Sequence, residues 1–279
     1  MSSNTKFRDR YGPWAIVTGA SSGIGKAIAR ELAAWGLNLV LVSRSRGKLD
    51  ELQCEINGDF TIESRALAID LSEKVGLGHL AEKTDDLDVG LLIAAAGFGS
   101  SGPFLDAELE NELGMLELNC GSTLSLLHRF GRRFKTRKKS GIVLFGSILG
   151  FHGVPNSANY AATKAYVQAL GEALSVEFKP IGIDVITSAP GPTQSAFADR
   201  AGLVMNNAMS PETVALATLK RLGRSHTVLP GFLSKFLHYS MTGLPRWIKV
   251  QILGRVMSGM RGKNVNGKSQ NLTEGARNG

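Results

Sequence analysis

Short apolar runs alternate along the chain with longer stretches in which apolar positions recur every three to four residues. The runs Trp14–Thr18, Leu39–Ser43, Glu63–Ile69, Val89–Ala95, Gly141–Phe145, Ile183–Ser188 and a short Thr227–Leu229 predict strands. Most lack polar alternation, as expected of strands covered on both faces. Between them, Ile24–Trp35, Arg46–Ile56, Ser72–Thr84, Leu105–Arg133, Ala158–Phe178 and Pro211–Leu222 carry helical periodicity. This order predicts one α/β domain, a parallel sheet of about seven strands with helices on both faces. Right-handed crossovers make the topology doubly wound.

The ends of the chain read differently. Residues 1–12 form a polar, charged N-terminal extension with no apolar core of a secretory signal. Residues 13–229 hold the alternating pattern. Residues 230–260 read as one or two amphipathic helices broken near Gly243-Leu244-Pro245, and the polar, glycine-rich 261–279 as a disordered tail. No apolar run approaches the ~18 residues of a spanning helix.

Composition adds little: 43% hydrophobic and 20% charged residues exclude global disorder. Cys54 and Cys120 fit neither a metal site nor a disulfide framework, and the five histidines are scattered. A cytoplasmic location is the expectation, peripheral at a membrane surface at most, and no metal is called for. Charge changes the picture more. The net charge is +8, and Thr213–Thr273 holds ten Lys or Arg residues and no acid. This basic, apolar 230–260 segment could touch a membrane surface, cover a lipid-like substrate, or cap the sheet or a dimer interface. The second basic run, Arg132–Lys139, reads as a solvated helix C-terminus, where cations meet the negative end of the dipole. Neither run implies nucleic acid.

Candidate chemistry begins where the first strand meets the first helix, at Thr18-Gly19-Ala20-Ser21-Ser22-Gly23-Ile24-Gly25. A Rossmann-type sheet binds a dinucleotide pyrophosphate at this point. Glycines let the backbone approach the phosphates, and the helix N-terminus offers N–H groups and a positive dipole end. Ser21 and Ser22 add hydroxyl donors. At the end of the second strand no acid stands ready for an adenosine ribose. Ser43 and Arg44 occupy the place, and Arg44 could pair with a 2′-phosphate, so NADP(H) is the expected cofactor. Arg44 as a solvated loop cation is the alternative.

Tyr160 and Lys164 lie four apart in a helical stretch and so share a face. A nearby ammonium favours the phenolate and would fit Tyr160 for acid–base work. Ser147 closes the fifth strand, where open parallel sheets face their ligand crevice.

The Gly-x-x-x-Gly-x-Gly spacing, with Tyr-x-x-x-Lys and Ser147 behind it, resembles the classical short-chain dehydrogenase/reductase family over residues 13–229. That resemblance implies a catalytic set of Asn119, Ser147, Tyr160 and Lys164, with Asn119 positioning a water and Lys164. It also implies that Asp70 and Leu71 lie beside the adenine, although Asp70 reads equally well as a helix N-cap. Ala96 and Gly97 would approach the cofactor, Pro190-Gly191 would run along the nicotinamide with Thr193 near its carboxamide, and 194–208 would cover the substrate. A homodimer or homotetramer is implied too. The chain departs from the family at Ala94 and Ala95, where asparagines are usual, so their hydrogen bonds are absent or replaced. The implied reaction is NADP(H)-dependent hydride transfer to or from a carbonyl or alcohol of an apolar small molecule. The alternatives are a 3-oxoacyl thioester reductase of lipid synthesis and a catalytically idle NADP-binding regulator.

Overall fold

A computed structural model describes residues 3–194 and 208–261 of the chain. The expected substrate-covering segment and tail therefore lie almost wholly outside the described residues. Seven parallel strands form one sheet: β1 (Trp14–Thr18), β2 (Asn38–Ser43), β3 (Ser64–Ala68), β4 (Val89–Ala94), β5 (Ser140–Phe145), β6 (Ile183–Ser188) and β7 (Thr227–Val228). Their order is β3-β2-β1-β4-β5-β6-β7. The chain reverses direction across the sheet between β1 and β4, the switch point at which a doubly wound sheet opens a crevice. Every residue of β1, β4, β5 and β6 is buried, while the edge strand β3 is only partly covered. That difference is why Val, Ile, Leu and Ala predominate in the central strands.

Helices α2 (Gly23–Ala34) and α3 (Arg46–Asp59) pack on one face of the sheet. There Ile28, Leu32, Leu49 and Leu52 join Val17, Leu39 and Leu41 in one core. On the other face, α4 (Lys74–Glu82), α6 (Ser122–Phe134) and α7 (Ala158–Glu177) bring Leu80, Leu127, Phe130 and Val167 against Ile16, Val40 and Leu92.

One element lies outside the predicted set, and one predicted helix needs correction. The polar N-terminus is a helix, α1 (Ser3–Tyr11), docked on the sheet. Its Tyr11 is buried and donates to Asp184 Oδ2 at 2.8 Å, where Arg10 also bonds at 2.6 Å. Phe7 wedges between Tyr11 and Trp35, with ring centroids 4.7 and 4.8 Å away. Three anchors in a mostly polar nine-residue helix fall below any periodicity signal. The expected single helix Leu105–Arg133 is likewise interrupted: a 3-10 turn at Phe104–Asp106, α5 (Leu109–Leu116), a π-turn at Glu117–Gly121, then α6.

The Arg132–Lys139 run is also more than a solvated terminus. Arg133 donates to the Leu87 carbonyl, and Arg137 donates to the Gly12 carbonyl at 2.6 Å and pairs with Asp88. Both guanidinium groups bond carbonyls of the loops that lead into β1 and β4.

Past β6, α8 (Pro211–Leu219) starts with Pro at its first turn and Ser210 Oγ accepting from Thr213 N, at 3.3 Å. Then α9 (Phe232–Ser240) and α10 (Arg246–Arg261) cross the C-terminal ends of the strands, broken as expected at Gly243–Pro245.

Candidate active site

The C-terminal ends of β1, β2, β4, β5 and β6 open into a single cavity of about 600 Å³. Its floor is the glycine turn. Gly19 and Gly23 adopt positive φ, at 67° and 53°. A Cβ on Gly19 would stand 2.8 Å from the Ala95 carbonyl, and one on Gly25 would stand 2.3 Å from the Gly19 carbonyl. Only glycine lets β1, β4 and the start of α2 come this close. Ser22 caps α2 in extended conformation without spending its hydroxyl on the helix. The first turn of α2 therefore presents N–H groups to the cavity, the arrangement that holds a phosphate. Ser21, Ser22 and Ile24 line the same wall. These residues fit a dinucleotide pyrophosphate.

Where the family's asparagines are absent, the end of β4 is held through its backbone by Thr18. Its Oγ1 donates to the Ile93 carbonyl at 3.2 Å and accepts from Ala95 N and Ala96 N, both at 3.0 Å. One donor and two acceptor positions use the whole capacity of a hydroxyl. A buried side chain on β1 thus ties down the end of β4. The sequence placed Thr18 in the turn but showed no sign of this role.

Ser43, Arg44, Asp70 and Leu71 line the far end of the cavity. Arg44 Nη1 lies 3.7 Å from Asp70 Oδ2. Burial acts to raise the Asp70 carboxyl, but hydrogen bonds from Ser72 and the charge of Arg44 outweigh it and hold the group below its ordinary range. Asp70 does not cap the next helix. It accepts from Ser72 N and Oγ at 2.9 and 2.7 Å, while α4 is capped by Glu73.

At the near end, Ser147, Tyr160 and Lys164 come together as expected. Gly150 makes this possible: a Cβ there would lie 2.8 Å from the backbone of Lys164, so the turn after β5 presses directly on α7. Tyr160 and Ser147 share a side-chain hydrogen bond, which partly offsets burial; burial prevails and pushes the phenol up to about 12. Lys164 Nζ lies 5.7 Å from the Tyr160 ring centroid and donates to the Phe145 carbonyl at 3.0 Å. Burial brings this ammonium down to about 8. The expected lowering of the phenol by Lys164 is not seen in this arrangement, where desolvation outweighs the Ser147 hydrogen bond.

Asn119 sits on the π-turn, and its side chain is fully committed. Oδ1 accepts from Phe98 N at 3.1 Å, and Nδ2 donates to the Phe98 carbonyl at 2.9 Å and to Thr163 Oγ1 at 3.0 Å. The wide turn aims this amide inward, a common use of π-turns at functional sites. Asn119 therefore clamps the strand β4 exit to α7 one residue before Lys164, and bonds to neither Lys164 nor Tyr160. Gly97 fills the remaining gap: a Cβ there would meet Asn119 Oδ1 at 2.8 Å.

On the other wall, the Pro190 carbonyl accepts from Ile148 N at 3.1 Å, and Thr193 Oγ1 donates to the Gly191 carbonyl at 3.0 Å. Gly191 N donates in turn to the buried Ser234 Oγ of α9 at 2.9 Å. Leu237 and His238 of α9, Met241 just after it, and Leu253 and Met257 of α10 continue this wall. Sequence reasoning had Leu237 and Leu253 on the amphipathic 230–260 segment, one of whose expected uses was to cover a substrate, but assigned none of these six to the site. Their helical spacing was visible, but its partner surface was not.

The model of the short chain dehydrogenase family matches residues 13–203. This chain belongs to the short-chain dehydrogenase family. It is 34% identical over 233 residues to a 7beta-hydroxysteroid dehydrogenase of Clostridium sardiniense, covering 82% of this chain and 89% of that protein. It is also 34% identical over 254 residues to a very-long-chain 3-oxoacyl-CoA reductase of Phaeosphaeria nodorum, covering 81% and 72%. Among solved structures, a short-chain dehydrogenase from Sphingobium yanoikuyae in complex with NADPH superposes with a TM-score of 0.74 at 28% identity, over 84% of this chain and 94% of that one.

Proposed function

We propose that this oxidoreductase reduces a carbonyl group on a bulky apolar molecule, or oxidises the matching alcohol, with NADP(H) as cofactor. The observation that carries the reading is the buried Tyr160 phenol, hydrogen-bonded to Ser147, in a cavity whose other wall is apolar. When bound at the strand ends, the cofactor supplies or accepts the hydride. The protein does the rest. Ser147 and Tyr160 hold the substrate oxygen from two sides and stabilise the charge that develops there. Tyr160, held protonated at neutral pH, gives up its phenolic proton to that oxygen. The Lys164 ammonium under the ring then stabilises the phenolate left behind. Asn119 is a positioning residue, acting through Phe98 and Thr163.

The preference for NADP(H) rests on Arg44, a cation at the end of β2 where an acid would repel a 2′-phosphate. The relative complexed with NADPH supports it. The apolar wall of Leu237, Met241, Leu253 and Met257 supports a hydrophobic substrate, as do the two relatives named for a hydroxysteroid and a long acyl thioester. The thioester reading keeps its own support in the second relative and in the basic Arg246 and Lys249 of α10, which would attract an anionic carrier group. A second copy of the chain would pack on the exposed stripe Ala162, Tyr166, Ala169, Ala173 and Val176 of α7. An NADPH-consumption screen over steroid ketones, other hindered ketones and 3-oxoacyl thioesters tests the reading. Turnover of hindered ketones is the expected result. NADPH binding without oxidation by any of them would leave only a regulatory role.

A further inference from the structure

We propose that the outer face of α9 and α10 is a docking surface for an anionic lipid bilayer. The inner face of α9 is used up: Ser234, Leu237, His238 and Met241, at helical spacing, hold Gly191 and line the cavity. The outer face of the same helix is not polar. Phe232, Phe236 and Tyr239 point to solvent at 84%, 57% and 65% exposure, and Trp247 at the start of α10 is 64% exposed. The rings of Phe232 and Phe236 lie nearly parallel with centroids 6.3 Å apart. A patch of clustered exposed aromatics marks an interaction surface, not a solvated face.

Charge decides what covers it. The exposed Lys235, Arg246 and Arg255 and the half-buried Lys249 share these two helices, and no acid occurs between Thr213 and Arg261. A second copy packed symmetrically on this face would set cation against cation, which opposes association. An anionic bilayer offers the opposite sign. The aromatic rings suit the headgroup level and the cations the lipid phosphates, as in helices that lie along an interface. Among the described residues no helix is long and apolar enough to cross a membrane, so the contact is on the surface. The same helices wall the cavity, so docking would turn its mouth toward the lipid. That last consequence rests on the apolar-substrate reading; the docking itself does not.

Co-sedimentation of the full chain with phosphatidylcholine vesicles, with and without 30 mol% or so of phosphatidylserine, tests it; binding is measured without cofactor or substrate. The expected result is binding that requires phosphatidylserine, weakens with salt, and falls about fivefold for each of Lys235→Ser and Arg255→Ser. Phe236→Ser with Trp247→Ser should abolish it while leaving turnover of a water-soluble ketone unchanged. Equal binding to both vesicle types, no binding to either, or a dimer in solution that Phe236→Ser dissociates would each overturn the proposal, the last assigning the face to a second copy.

Discussion

On one side of Tyr160 the cavity wall is largely backbone; on the other it is largely side chain. The dinucleotide side is made by strand ends and glycines. Gly19, Gly25 and Gly97 each stand where a Cβ would collide with a neighbouring carbonyl or amide. The proposed substrate side is made by Leu237, His238, Met241, Leu253 and Met257, on two helices and the turn between them, which reach it from the far end of the chain. A backbone wall tolerates few alternatives, because hydrogen bonding and close approach are fixed by the fold. A side-chain wall can be recut by substitution without disturbing the sheet, which is how one fold serves many substrates. The two relatives named for a hydroxysteroid and an acyl thioester match this chain equally at 34% identity, as expected if the family shares the first wall and varies the second.

The sharpest break in that comparison lies where the walls meet. Tyr160→Phe should lower turnover about a thousandfold and leave NADPH affinity, read by fluorescence titration, within a few-fold of the parent. The same side chains set a pH dependence. The Lys164 ammonium, brought down to about 8, is charged below that pH and loses its charge above it. Reductive kcat/KM is therefore expected to be flat below about pH 8 and to fall about tenfold per unit above it. A profile that rises through pH 9 would contradict the role given to Lys164.

On the dinucleotide side, Arg44→Asp should reduce the NADPH-to-NADH preference ten- to a hundredfold, the worth of one charge-assisted contact. Comparing kcat/KM for the two cofactors reads it directly. Thr18→Val keeps the shape but leaves the Ala95 and Ala96 N–H groups unpaired. It should cost about 1–3 kcal/mol of stability, measured by denaturant unfolding. If stability is unchanged, another group or water pairs those two N–H groups.

The smallest effect belongs to the substrate side. Ser234→Ala removes the bond between α9 and Gly191, and should raise KM for the carbonyl substrate a few-fold while cofactor affinity stays constant. Equal loss of both would mean that α9 supports the dinucleotide wall as well.

Much of the site was legible before folding. Gly19, Gly23 and Gly25 announce themselves because few other uses require glycines at that spacing after a strand. Tyr160 and Lys164 share a helix, so four residues of separation already puts them on one face. Asn119 was legible as a residue type but not in its action. Its partners Phe98 and Thr163 are 21 and 44 residues away, and the π-turn that aims it leaves no periodic signature.

The sequence by itself determined the parallel sheet, the turn at its switch point and the shared helix face of Tyr160 and Lys164. Each of these follows from local pattern: buried runs, glycine spacing, helical separation. Only the tertiary structure decided that Thr18 ties down the end of β4, that burial holds Tyr160 protonated, and that α9 and α10 close the cavity. Those outcomes depend on which distant groups come within hydrogen-bond or van der Waals range. A single strand or helix carries no record of what it will meet.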